Sequence, residues 1–195
     1  MNRVWMDQGG TFTDVVRVDP DGHFTVEKVL TDKATLEALA QDADEVRCGT
    51  TVATNALLER TGEPVLLITH EGFGELHELR DQRRPDLFRL NIERPPSLAT
   101  AVLEVGGRIS SEGRVLAPLD VDEAKLRTHV TAGIRSAAIV LIHGPAHPAT
   151  ERAVERMCEA AGFTQISVGH VVAPSRGYLP RLHTTLADAA LTPLL

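Results

Sequence analysis

The chain has 195 residues, 43% of them hydrophobic and 24% charged, with 20 Lys+Arg against 27 Asp+Glu for a formal charge of −7. That length supports one large or two small cores, and an acidic balance without any basic run speaks against nucleic-acid binding, which rests on clustered Lys and Arg. No apolar run approaches the roughly 20 residues of a bilayer span, and Asp7, Gly9 and Gly10 interrupt the stretch a secretion signal needs, so we expect no membrane partner and a cytoplasmic setting in which Cys48 and Cys158 stay reduced.

In chain order the sequence predicts strands over 4–6, 15–18 and 24–30, the last two joined through Asp21-Gly22, a hairpin signal. A short helix is expected over 35–43, a strand over 45–48 and a helix over 51–60 closed by Gly62. The apolar run 65–69 fits a buried parallel strand, and a helix over 73–80 follows. Residues 81–96 turn to Arg, Asp, Asn and Pro, which marks a loop or domain edge. A hairpin is expected from 102–109 and 115–116, then a helix over 122–132, a strand over 137–142, a helix over 150–161 stopped by Gly162, and a strand at 165–168. Alternation of strands and helices with short connections implies a mixed or parallel α/β sheet.

Asp7-Gln8-Gly9-Gly10-Thr11-Phe12-Thr13-Asp14 lies between two predicted strands. Its glycines occupy a tight turn whose amides can face a phosphate without Cβ obstruction. Thr11 and Thr13 add hydroxyls, while Asp7 and Asp14 offer carboxylates for a hydrated Mg²⁺ or for orienting water. A plain Gly-rich hairpin with a polar tip is the other reading.

This motif resembles the phosphate loop of the hydantoinase/oxoprolinase family, related to ATPases of the actin, sugar-kinase and Hsp70 type. The run from Gly49-Thr50-Thr51-Val52-Ala53-Thr54-Asn55 to Arg60 is similar to a family signature along its whole length, and Thr69 to Phe73, Gln82 to Phe88 and Glu104 to Ile109 follow in family order. Residues 133–136, 162–167 and 184–193 look most like the oxoprolinase branch.

The resemblance implies an actin-like ATPase fold of which this chain is the first lobe only. It implies ATP and Mg²⁺ as cofactors, with Asp7 holding the metal through water, and a small cyclic amide as substrate, 5-oxo-L-proline being opened to L-glutamate. Asp7 and Asp14 are the catalytic candidates, and Gly9, Gly10, Thr11, Thr13, Gly49, Thr50 and Thr51 the nucleotide-binding ones. At the start of the second helix Thr50 and Thr51 could meet an anion or simply cap the helix. Asn55 could face a ligand or pack. Arg83, Arg84 and Asp86 could bind a substrate carboxylate or lie on a solvated surface. Cys48, directly before Gly49, could lie near the site or be a small buried core residue, and His143 and His147 read as loop or packing residues.

Departures from the family pattern are Gln8 where oxoprolinases usually carry Arg, a shorter segment between Leu30 and Val46, and no second D-x-G-G-T loop. We therefore expect residues 1–180 to form the N-terminal domain, with a subdivision near 81–100, and 181–195 to begin a truncated catalytic domain. The remaining lobe would come from a longer chain or a partner subunit, in a homo- or hetero-oligomer. The alternatives are a subunit of an acetone- or acetophenone-type carboxylase and a catalytically silent binding or assembly module.

Overall fold

A computed structural model describes residues 1–83, 86, 88–92, 95–175 and 177–195, with the side chains of Lys33, Thr35 and Leu36 left aside. The fold is mixed α/β, divided into two compact units: Met1–Thr61 with Leu194–Leu195, and Gly62–Pro193.

The first unit holds β1 (Arg3–Gln8), β2 (Phe12–Val18), β3 (Phe24–Leu30), α1 (Lys33–Ala40), β4 (Glu45–Thr50) and α2 (Val52–Glu59), with sheet order β3-β2-β1-β4. The first three strands form an antiparallel meander and β4 runs parallel to β1. Period-2 alternation decides the core: Val4, Met6 and Val15 are buried, with Val29, Leu39 and Ala43 packed on them. On the other face Trp5, Phe12, Phe24, Val26 and Leu30 remain exposed. The β2–β3 turn is built by Asp19, whose carboxylate accepts from the Asp21 and His23 amides, both at 2.9 Å. Helix α2 ends at Glu59, one residue short of the expected end, and is capped two residues before its glycine. Arg60 takes the left-handed conformation (φ 60°), and Gly62 serves close packing instead, since a Cβ there would lie 3.1 Å from the Ala190 carbonyl oxygen.

The second unit carries β5 (Val65–His70), α3 (Leu76–Leu79), β6 (Ala99–Ile109), β7 (Val115–Asp120), α4 (Glu123–Thr131), β8 (Ser136–Ile139), α5 (Ala149–Ala161), β9 (Gln165–Val168), α6 (Gly169–Val172) and α7 (Tyr178–Leu191). Its sheet runs β7-β6-β5-β8-β9, parallel except for β7. As the apolar run at 65–69 implied, β5 is buried on both faces. One face packs Leu66, Ile68, Leu126, Val154 and Cys158 together; the other packs Val65, Leu67, Val140, Leu182, Leu186 and Ala189. Gly162, at φ 101°, ends α5 as expected.

Three expectations are revised. The helix over 73–80 shrinks to α3, because the Glu104 carboxylate captures the amides of Gly72 and Gly74 at 3.0 and 2.7 Å and holds them in a turn. The second hairpin strand extends through Pro118, which β7 tolerates as an edge strand. Residues 178–191, unassigned in the sequence reading, form α7 and supply half of the second core.

Candidate functional site

The two sequence motifs meet in the first unit. The parallel ladder between β1 and β4 sets Asp7 beside Gly49 and Gln8 beside Thr50, and the Thr51 amide donates to the Gln8 carbonyl at 3.2 Å. The β1–β2 turn and the start of α2 are thereby neighbours at the same end of the sheet.

Gly9 closes the turn: its amide donates to the Phe12 carbonyl at 2.9 Å, and a Cβ at this position would lie 2.9 Å from that same oxygen. Gly10 and Thr11 are exposed at the tip. A Cβ on Gly10 would point towards Asn55 Nδ2, 3.9 Å away, and one on Gly49 towards Asp7 Oδ1, 3.8 Å away. Gly10 thus lies near an amide donor and Gly49 near a carboxylate, both at ordinary van der Waals distance.

The threonines divide the work. Thr50 Oγ1 accepts from the Val52 amide at 3.1 Å and so caps α2, whereas Thr51 makes no side-chain cap. Thr13 is fully buried. Its hydroxyl shares a 2.9 Å hydrogen bond with Thr31, whose own hydroxyl donates to the Gly9 carbonyl at 3.1 Å. Thr13 therefore holds the turn from below, and Thr31, which the sequence reading passed over, is its partner; only a hydroxyl one residue past a strand end hinted at it. Asp14 pairs with Asp7 in register and forms a 3.1 Å ion pair with Lys28.

Cys48 is exposed rather than buried, because β4 is an edge strand. Arg83 and Asp86 belong to the second unit. Arg83 bonds Asp81 at 3.0 Å with its side chain 88% exposed, and Asp86 accepts from the Phe88 amide at 3.0 Å. Arg84 lies outside the described residues. Among the described residues the one three-donor cluster able to hold a metal is Asp19, Asp21 and His23, which is the hairpin turn already described.

Comparison with known proteins gives a consistent result. A family model described as the hydantoinase/oxoprolinase N-terminal region matches residues 3–162. The chain is 33% identical to 5-oxoprolinase 1 of Arabidopsis thaliana over 240 aligned positions, covering 99% of this chain and 19% of that protein. The crystal structure of the ATP-dependent caprolactamase from Pseudomonas jessenii superposes with a TM-score of 0.78 at 29% identity, over 98% of this chain and 32% of that one. A nucleotide-free acetone carboxylase shares the fold, with TM-score 0.78 at 20% identity over 99% of this chain and 33% of that one. The chain thus spans about a fifth to a third of the length of the proteins it matches. No helix of the described residues is long and apolar enough to cross a membrane.

Proposed function

The chain belongs to the hydantoinase/oxoprolinase family as its N-terminal region, and from that premise we propose that the first unit binds the phosphates of Mg-ATP within an enzyme that opens a cyclic amide, 5-oxo-L-proline being its substrate. The observation that carries this reading is the register of β1 on β4, which joins Asp7 and the Gly9–Gly10 turn to Gly49, Thr51 and Asn55.

Bound ATP supplies the phosphoryl group that turns an unreactive amide oxygen into a leaving group. The chain's part is positioning and charge stabilisation. In this proposal the Gly10 and Thr11 amides, the Thr51 hydroxyl and the Asn55 side-chain amide donate to phosphate oxygens, and Asp7 orients the water shell of Mg²⁺. Thr13 and Thr31 keep the turn in shape, and Thr50 caps the helix. The adenosine pocket and the rest of the catalytic centre would come from the remaining lobe, on a longer chain or a partner subunit. Lactam opening is favoured over carboxylation because the identity to 5-oxoprolinase 1, 33%, exceeds the 29% shared with the acetophenone carboxylase gamma subunit of Aromatoleum aromaticum.

Calorimetric titration of the chain with Mg-ATP tests the nucleotide step. Saturable binding is expected, weakened about tenfold or more in Asp7→Ala that keeps its far-UV circular dichroism. A folded chain with no saturable binding would sink nucleotide capture by this unit alone and leave the assembly-module reading.

A further inference from the structure

In open α/β sheets, ligand crevices form beyond the carboxyl ends of adjacent parallel strands whose connections leave in opposite directions. In the second unit β5 and β8 are such a pair: β5 leads through α3 to β6 on one side, and β8 leads through α5 to β9 on the other. Beyond their ends lies a cavity of about 390 Å³ whose lining includes Ile142, His143, Pro145, Ala146, Tyr178 and Arg181.

One wall of this cavity carries a buried cation. Arg181 is 2% exposed; it donates to the Ser175 carbonyl at 2.9 Å and the Leu141 carbonyl at 2.8 Å, and its Nε meets no acceptor. No carboxylate among the described residues reaches ion-pair distance of it. Glu151, whose charge acts on Arg181, is committed elsewhere, accepting from the amides of Leu141 and His170, both at 2.9 Å, and from His170 Nδ1 at 2.7 Å. Two carbonyls, the Tyr178 ring 5.6 Å from its Cζ and the charge of Glu151 offset part of the cost of burying this guanidinium, and its Nε still lacks an acceptor that an anion would supply.

The surrounding wall is largely apolar. The Tyr178 hydroxyl is hydrogen-bonded to Thr69, and its ring packs against Phe73 with centroids 5.4 Å apart. His143 turns the rim at φ 61°, a conformation that non-glycine residues seldom take, and its carbonyl accepts from the amides of Ala146 and His147 at 3.0 and 2.8 Å. Ile142, Pro145, Ala146 and the Tyr178 ring cover the sides. An arginine beside apolar walls suits a small organic acid, its carboxylate towards Arg181 and its hydrocarbon part against the sides. Inorganic phosphate has no such part to cover.

We propose that this cavity is a binding site for a small carboxylate-bearing molecule, distinct from the phosphate loop and independent of the nucleotide reading. The test titrates 5-oxo-L-proline into the ¹⁵N-labelled chain by NMR, with 2-pyrrolidinone as its uncharged analogue and inorganic phosphate as the anion without an apolar body. Saturable shifts are expected at Ile142, His143 and Ala146, with both controls binding about tenfold more weakly or worse. Ala146→Leu, which narrows the cavity and leaves Arg181 in place, should weaken the acid about tenfold. Arg181→Gln should do the same, and if it fails to fold, Ala146→Leu decides. The proposal is overturned by no saturable binding, by equal binding of either control, by an unchanged affinity in Ala146→Leu, or by shifts confined to residues 7–13 and 49–55.

Discussion

Gly9 and Gly10 stand side by side under different constraints: the first has a carbonyl oxygen 2.9 Å from where a Cβ would go, whereas a Cβ on the second would meet nothing nearer than Asn55 Nδ2 at 3.9 Å. The same separation of roles applies to His70. Burial, aided by the positive charges of Arg108 and His143, pushes its imidazole down to about 4, and its Nδ1 accepts from the Ile142 amide at 3.1 Å, which requires the neutral ring. Unfolded, His70 takes up a proton near its ordinary 6.5; folded, it resists until about 4. Its contribution is therefore intact above pH 6.5 and lost as pH falls towards 4, on the order of 3 kcal/mol at the low end. His70→Asn keeps an acceptor for Ile142 and removes the titration. Urea midpoints should fall less between pH 7 and pH 4.5 in the variant than in the native chain, and parallel curves would refute the assignment.

The first turn of α5 has its own constraint. Glu151 is fully buried and accepts three N–H bonds, and a Cβ on Gly144 would lie 2.2 Å from its Oε1. Gly144→Ala must displace a carboxylate that has no alternative donors ready, so we expect a loss of about 2–5 kcal/mol in chemical denaturation; a loss under about 1 kcal/mol would mean that the network relaxes freely. Elements with strong local signals were legible from sequence: β5 from its unbroken apolar run, α5 from its apolar stripe and Gly162, β9 to the residue. What escaped depended on distant partners. Glu104 lies 30 residues after Gly74 yet decides that residues 72–74 form a turn rather than the start of a helix, and α7 declares itself only once β5 and β8 present the face it covers. The site divides the same way: Asp7 and the glycines announced themselves as a motif, whereas the Thr13–Thr31 support exists only after β2 and β3 pair.

The two units have unequal cores. Among the described residues, Val4, Met6 and Val15 form the buried cluster of the first, while the second has two larger clusters on either side of its sheet. Stability follows apolar burial, so the first unit should open at lower denaturant. The sequence has one tryptophan, Trp5, in the first unit, and one tyrosine, Tyr178, in the second. Trp5 fluorescence should report a transition that precedes the main loss of far-UV circular dichroism; coincident curves would make the chain one cooperative system. The ladder that sets Asp7 beside Gly49 has a further consequence. Consecutive side chains on a strand face opposite ways, so one residue gained or lost within Glu45–Thr50 would set Cys48 or Thr50 beside Asp7 and invert the strand beyond it. The 240 positions aligned with 5-oxoprolinase 1 against 195 residues here mean that this relative carries stretches the chain lacks. An insertion of two residues would restore the facing of the strand but still take Gly49 from beside Asp7, so the six-residue strand Glu45–Thr50 is held to its length as well as to its parity.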